Sequence, residues 1–235
     1  MNELLKKTLS QIVTENHRAA PVFEKYGLDF CCKGKRPLTE ACKEKSLPVE
    51  NVVKDLADAL TSADNKREFK EMSLTELTEY IVRVHHNYVK QSMPPILMYI
   101  LKVATKHGAR FPFMHEVYDL FLELEEEMTQ HMAKEEKILF PRIKLLELNA
   151  AQENTVGYIS APVEVMETEH DHAGTIMEKI RVLTGNYLAP EDACTTFRLA
   201  LASLQAFESD LHHHVHLENN ILFPKAIALH QGNLN

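Results

Sequence analysis

One repeated phrase constrains this chain more than anything in its composition. HMAKEEKILFP, beginning at His131, returns as HVHLENNILFP from His214, and both obey H-x-x-x-E-x-x-I-L-F-P. At background residue frequencies six identities in register arise by chance with a probability on the order of 10⁻³, so duplication is the better account. Each copy has helical spacing and lies late in a long apolar-periodic stretch. The chain therefore reads as a helical hairpin used twice, which closes as an antiparallel four-helix bundle.

If the hairpin is duplicated, each first helix should carry an equivalent of the repeated histidine. His85 lies 46 residues before His131, and His170 lies 44 before His214. His85 is four residues after Ile81 and eight after Leu77; His170 is four after Met166 and seven after Val163, so both are expected on inward faces. Within the motif, His and Glu at i and i+4 stack on one side of a helix, about one turn apart. His85, His131, Glu135, His170, His214 and Glu218 are thus the expected metal-ligating set. Taken singly, an inward His or an H-x-x-x-E pair is an ordinary structural feature, and it is the repetition that changes the reading. Burying four imidazoles and two carboxylates together without a cation would cost several kcal/mol per unpaired charge.

The donor types choose the metal. Four imidazoles and two carboxylates with no thiolate suit iron or manganese better than a structural zinc cage. Two facing carboxylates can bridge two divalent ions, so the expected cofactor is a pair of non-haem, carboxylate-bridged iron ions, with Glu135 and Glu218 as the bridges. His86, His172, His212 and His216 are rotated roughly 200° or similarly off the inward face and are expected to be exposed or to lie behind the ligands. Glu127, one turn before His131, and Glu169, beside His170, are candidates for orienting ligands, with a solvated surface role as the plainer reading of each.

Around this centre the chain divides into three stretches. Residues 1–60 read as a small helical module containing the adjacent Cys31 and Cys32, with a turn at Gly27 and a closing helix through Val49, Val52, Val53, Leu56 and Leu60. Residues 61–72 lack an apolar period and read as a linker; the bundle occupies 73–235. Ser73 and Glu76 have the form of a capping box at the start of its first helix. That helix is expected to bend or break at Pro94 and Pro95. A second helix is expected over Phe113–Leu148, followed by a loop with Asn154 and Gly157. A third is expected from Ser160 to Leu183, and a fourth opens with Pro190, Glu191 and Asp192 in its first turn. The class is all-α.

Composition excludes several partners. A net charge of −8 without an unmixed basic run disfavours nucleic acid. No apolar run approaches the roughly 20 residues needed to span a bilayer, and no leader pattern stands at the beginning, so a cytoplasmic protein with no membrane contact is expected. Four cysteines, of which only Cys31 and Cys32 are neighbours, make neither a disulfide framework nor paired zinc knuckles.

The phrases FEKYGLDFCCKGK, DACTTF, KEEKILFP and LENNILFP make the chain resemble the RIC (repair of iron centres) di-iron proteins over nearly its whole length. The resemblance implies a hemerythrin-like bundle behind a short Cys-containing domain, and the same six ligands. It also implies restoration of iron-sulfur clusters damaged by nitric oxide or oxidative stress, through iron donation, NO removal or both. Damaged iron-sulfur proteins, NO and O₂, and a second copy in a homodimer are then the expected partners. The family's adjacent cysteines map onto Cys31 and Cys32, where a reactive thiol, a dimer contact and simple packing all remain open. A competing function is a hemerythrin-like module that binds or senses O₂ or NO without repair. Ferritin-like oxidase chemistry ranks below both, because that group uses Glu-x-x-His where this chain has His-x-x-x-Glu.

Overall fold

The computed structural model describes residues 4–31, 33–60, 69–148 and 159–232. Cys32, most of the 61–72 linker and the expected Asn154–Gly157 loop lie outside the described residues. Among those described, regular structure is helical throughout, apart from one isolated bridge between Thr8 and Pro37. The all-α expectation holds. The helices are α1 (Leu9–Glu15), α2 (Ala20–Lys25), α3 (Leu38–Glu44), α4 (Val49–Leu60), α5 (Leu74–Ile81), α6 (Asn87–His107), α7 (Phe113–Lys134), α8 (Phe140–Leu148), α9 (Ser160–Leu183), α10 (Thr195–Leu217) and α11 (Phe223–Gly232). The described residues group into two compact units, one of 4–79, 143–148 and 212–232, the other of 80–142 and 159–211.

The first unit is organised by a small apolar core in which Leu9, Phe23, Phe30, Leu38, Val52 and Leu56 are almost completely enclosed. Thr8 starts α1 with a capping box, accepting from the Gln11 amide while the Gln11 side chain accepts from the Thr8 amide, so two otherwise orphaned donors are satisfied. Asp55 on α4 takes both Lys25 Nζ at 2.6 Å and Tyr26 Oη at 2.9 Å, fixing α2 against α4. The loop after Phe30 turns back so tightly that a Cβ on Gly34 would sit 2.0 Å from the Phe30 carbonyl oxygen, and only glycine fits there. The expected capping box of α5 is present, with Ser73 and Glu76 bonded reciprocally at 2.8 and 3.1 Å. Glu147 at the end of α8 adds its carboxylate to the Leu74 and Thr75 amides, an anion at a helix N-terminus.

The second unit packs α6, α7, α9 and the first four turns of α10 around Val103, Val117, Phe121, Leu124, Ile176, Ile180, Leu204 and Phe207, all nearly inaccessible. Phe121 and Phe207 meet edge to face at 5.2 Å between centroids, a favoured aromatic geometry. Two expectations need correction here. α6 runs unbroken through Pro94 and Pro95, because the carbonyls the prolines leave unbonded belong to Lys90 and Gln91 on the exposed side, where water can serve them. The fourth helix begins at Thr195, not at Pro190. Arg198 reaches back from its first turn to the carbonyls of Pro190, Glu191 and Ala193, holding that stretch as a turn.

Candidate metal centre

Among the described residues three five-residue π turns interrupt the helices, at Val82–His86, Glu135–Leu139 and Glu218–Leu222. Two of them are the E-x-x-I-L of the repeated motif. In each, the amide after the turn reaches the carbonyl five residues back, Phe140 to Glu135 and Phe223 to Glu218. The motif's proline explains them. Pro141 and Pro224 have no amide to give and would crowd the carbonyl four residues earlier, and widening the preceding turn relieves that clash. The glutamate of each motif is therefore the last residue placed by α-helical spacing, one turn after its histidine.

Inside the second unit, the donor atoms of His131, Glu135 and His170 lie within 4.8 Å of one another, and all three residues are buried. The Nε2 atoms of His131 and His170 face each other at 2.9 Å, and His131 Nε2 is 3.3 Å from Glu135 Oε2. His86 approaches the same carboxylate oxygen with its Nε2 at 3.3 Å. In the first unit, His214 Nε2 and Glu218 Oε1 are 3.1 Å apart, and both side chains are wholly enclosed. Neighbouring donors around one ion at bond lengths near 2.1 Å are about 3 Å apart, so the spacing and the chemistry of these donors fit a metal of the imidazole and carboxylate class.

The far sides of the His131 and His86 rings are also engaged. His131 Nδ1 meets Glu169 Oε2 at 2.9 Å, and the Lys134 ammonium bonds the same carboxylate. His86 Nδ1 meets Glu136 Oε1 at 2.8 Å, and Lys90 reaches that oxygen at 2.6 Å. A carboxylate on Nδ1 fixes the tautomer that leaves Nε2 with its lone pair, the arrangement found behind metal-bound histidines. The His131 hydrogen bond holds the Glu169 carboxyl down to about 2, so it stays an anion at any ordinary pH.

These placements sort the sequence expectations. His131, Glu135 and His170 lie together, and Glu169 bonds the far side of the His131 ring. Glu127 instead pairs at 2.7 Å with exposed His172. His86, expected to face away, has no exposed surface, and His216 is buried as well. The expected first-helix residue, His85, is buried with its Nδ1 on Asp210 at 2.9 Å. The reason lies in the π turn at Val82–His86. Counting by fours from Ile81 reaches His85, whereas the extra residue in the turn hands the inward position to His86, and Val89 and Met93 continue that buried face. Asp210 and Glu136 were missed because nothing in their local pattern marks them; a carboxylate near a histidine of another helix is visible only in three dimensions.

Comparison with known proteins agrees with this geometry. Residues 77–226 match the hemerythrin HHE cation binding domain, and residues 5–60 match a Domain of Unknown function (DUF542). The iron-sulfur cluster repair protein YtfE of Pectobacterium atrosepticum is 33% identical over 222 residues, covering 94% of this chain and 96% of that protein. A probable iron-sulfur cluster repair protein of Haemophilus influenzae is 34% identical over 224 residues, covering 94% and 97%. The chain belongs to the RIC family of hemerythrin-like proteins. As a RIC protein it carries a cation-binding bundle, and the buried His and Glu cluster is the part of that bundle with the chemistry to hold a metal.

The phrase FCCKGK that contributes to the resemblance belongs to the first unit. Phe30 sets its ring edge-on to His212, His213 and His216 at 5.6 to 5.9 Å, so the Cys-containing loop abuts the outer face of the turn that carries His214. Cys31 is buried and its thiol donates to Asp29 Oδ1 at 3.1 Å; Cys42 is buried and free, and Cys194 is exposed and free. None of the helices among the described residues is long and apolar enough to cross a membrane.

Proposed function

We propose that this chain is a di-iron protein that serves the repair of iron-sulfur clusters damaged by nitric oxide or oxidative stress. Its two iron ions would be held by His86, His131, His170 and His214 and bridged by Glu135 and Glu218. The assignment of His86 in place of His85 follows the π turn; the remaining five are those of the sequence reading. The observation that carries it is the close meeting of His131, His170 and Glu135 donors in an apolar enclosure, at the spacing of neighbouring ligands. The duplicated motif supports extension of the set to His214 and Glu218, and the names of the relatives support the repair role over simple O₂ or NO binding.

When bound, two such ions supply exchangeable coordination positions and one-electron chemistry, since four protein donors each leave about two of six octahedral positions open. The chain's own part is to hold and release them. Glu169 and Glu136 keep His131 and His86 in the ligating tautomer, Lys134 and Lys90 keep those carboxylates ionised, and the Phe140 ring stacks on His86. The clients under this reading are damaged iron-sulfur proteins, with NO and O₂ as small-molecule ligands. Residence in the reducing cytoplasm suits the free thiols. A homodimer would give the exposed Leu145 and Leu148 a surface to cover.

Reduced, iron-loaded protein should restore activity to an NO-inactivated cluster enzyme, and the His131→Ala variant should not. Equal rescue by the two would sink the reading.

A further inference from the structure

His85 and Asp210 have no part in the centre proposed above, yet they form a buried polar contact inside the second unit. His85 is 5% exposed, and its Nδ1 lies 2.9 Å from Asp210 Oδ1 on α10. The Tyr80 ring covers it edge-on at 5.8 Å between centroids. The neighbouring His86 has the same kind of partner from elsewhere, Glu136 at 2.8 Å, and presents its Nε2 to Glu135 at 3.3 Å. Two adjacent imidazoles are thus each tethered through Nδ1 to a carboxylate on a different segment.

They also sit on the one π turn among the described residues that no proline explains, since residues 87–92 contain none. A π turn is disfavoured in isolation and persists where tertiary contacts hold it. Were Val82–His86 an ordinary α turn, the inward face marked by Leu77 and Ile81 would continue to His85, which has the same donor atoms as His86. The chain therefore holds two interchangeable ligands one residue apart, and the state of the turn determines which faces inward.

We propose that Asp210 is a positioning residue that selects the ligand: by retaining His85 it keeps the π turn in place and leaves His86 as the histidine presented to the metal. This rests on the di-iron reading with His86 in the ligand set. Removing the Asp210 carboxylate takes away this retention, and the turn relaxes to α-helical spacing with His85 in the inward position. The result is an exchange of ligands, not the loss of one.

The test is iron bound per chain after anaerobic reconstitution and desalting, together with the Mössbauer spectrum. His86→Ala alone should lose at least one of two ions; full retention would overturn the His86 assignment itself and the selection with it. Asp210→Ala added to His86→Ala should recover the lost iron, because His85 takes the place. Adding His85→Ala as well should abolish the recovery, and Asp210→Asn, which keeps an acceptor for His85, should not produce it. Asp210→Ala alone, with both histidines present, should hold two ions but change the quadrupole doublet of one of them. An unchanged spectrum in Asp210→Ala, or an Asp210→Ala/His86→Ala protein as iron-poor as His86→Ala with the same helical signal, overturns selection while leaving the di-iron reading intact.

Discussion

The two copies of H-x-x-x-E-x-x-I-L-F-P share ligand types, a π turn and a proline, but differ in what stands behind the histidine. In the copy at His131 the support is ionic: Glu169 on Nδ1, with Lys134 from the same turn holding Glu169 in turn. In the copy at His214 the support is aromatic and comes from the N-terminal module, where Phe30 lies edge-on to His212, His213 and His216, and Glu24 sits 3.4 Å from His213. The residues between the shared positions record the difference, MAK and EK in one copy against VHL and NN in the other. The duplicated motif keeps its His and Glu and varies the residues between them to suit whatever packs outside.

The largest effect expected from this comparison comes from the feature the copies share. Replacing Glu135 and Glu218 together by Ala should reduce bound iron to near zero by elemental analysis, and undiminished iron would dissolve the equivalence of the copies. Next is the aromatic support. Phe30→Ala empties a fully buried site and should cost about 3 to 5 kcal/mol in chemical denaturation, read in the first unit. A hydrogen-exchange map should show protection lost around His214 and retained around His131. Loss spread equally over both copies would mean that the module does not support one copy in particular.

A smaller effect is expected from the ionic support. Glu169→Gln keeps the shape but weakens the hold on His131, and should lower iron affinity roughly 10- to 100-fold in competition with a chelator. A further effect is a pH dependence on the aromatic side. Burial, aided by the neighbouring His213, pushes His216 down to about 3 against the Phe30 carbonyl that opposes the shift. With the folded value below the unfolded one, the unfolded chain binds the extra proton between about 6.5 and about 3, so stability falls as pH drops through that window. Denaturation midpoints of the metal-free protein should decline from pH 6.5 to pH 4, and His216→Gln should flatten part of the slope. A variant as steep as the parent would remove His216 from the account.

Much of the site was legible because its chemistry is local. His131 with Glu135, and His214 with Glu218, are one helical turn apart, and i,i+4 spacing holds in any α-helix. The long helices were legible from their apolar period, and α9 begins at Ser160 and ends at Leu183 as expected. Which first-helix histidine faces Glu135 was not legible in the same way. Counting from Ile81 assumes 3.6 residues per turn, and the π turn before His86 breaks that count without any proline to announce it. The start of α10 was misplaced for a related reason, since Pro190, Glu191 and Asp192 look like a first turn until the Arg198 guanidinium is seen to occupy their carbonyls.

By itself the sequence determined that this is a helical protein with a twice-used His and Glu pair, because hydrophobic period and i,i+4 spacing are properties of neighbouring residues. Only the tertiary structure decided which of two adjacent histidines faces Glu135, and which distant carboxylates hold the rings. Those outcomes depend on contacts between segments tens of residues apart, such as Asp210 with His85 and Glu169 with His131, which no local pattern encodes.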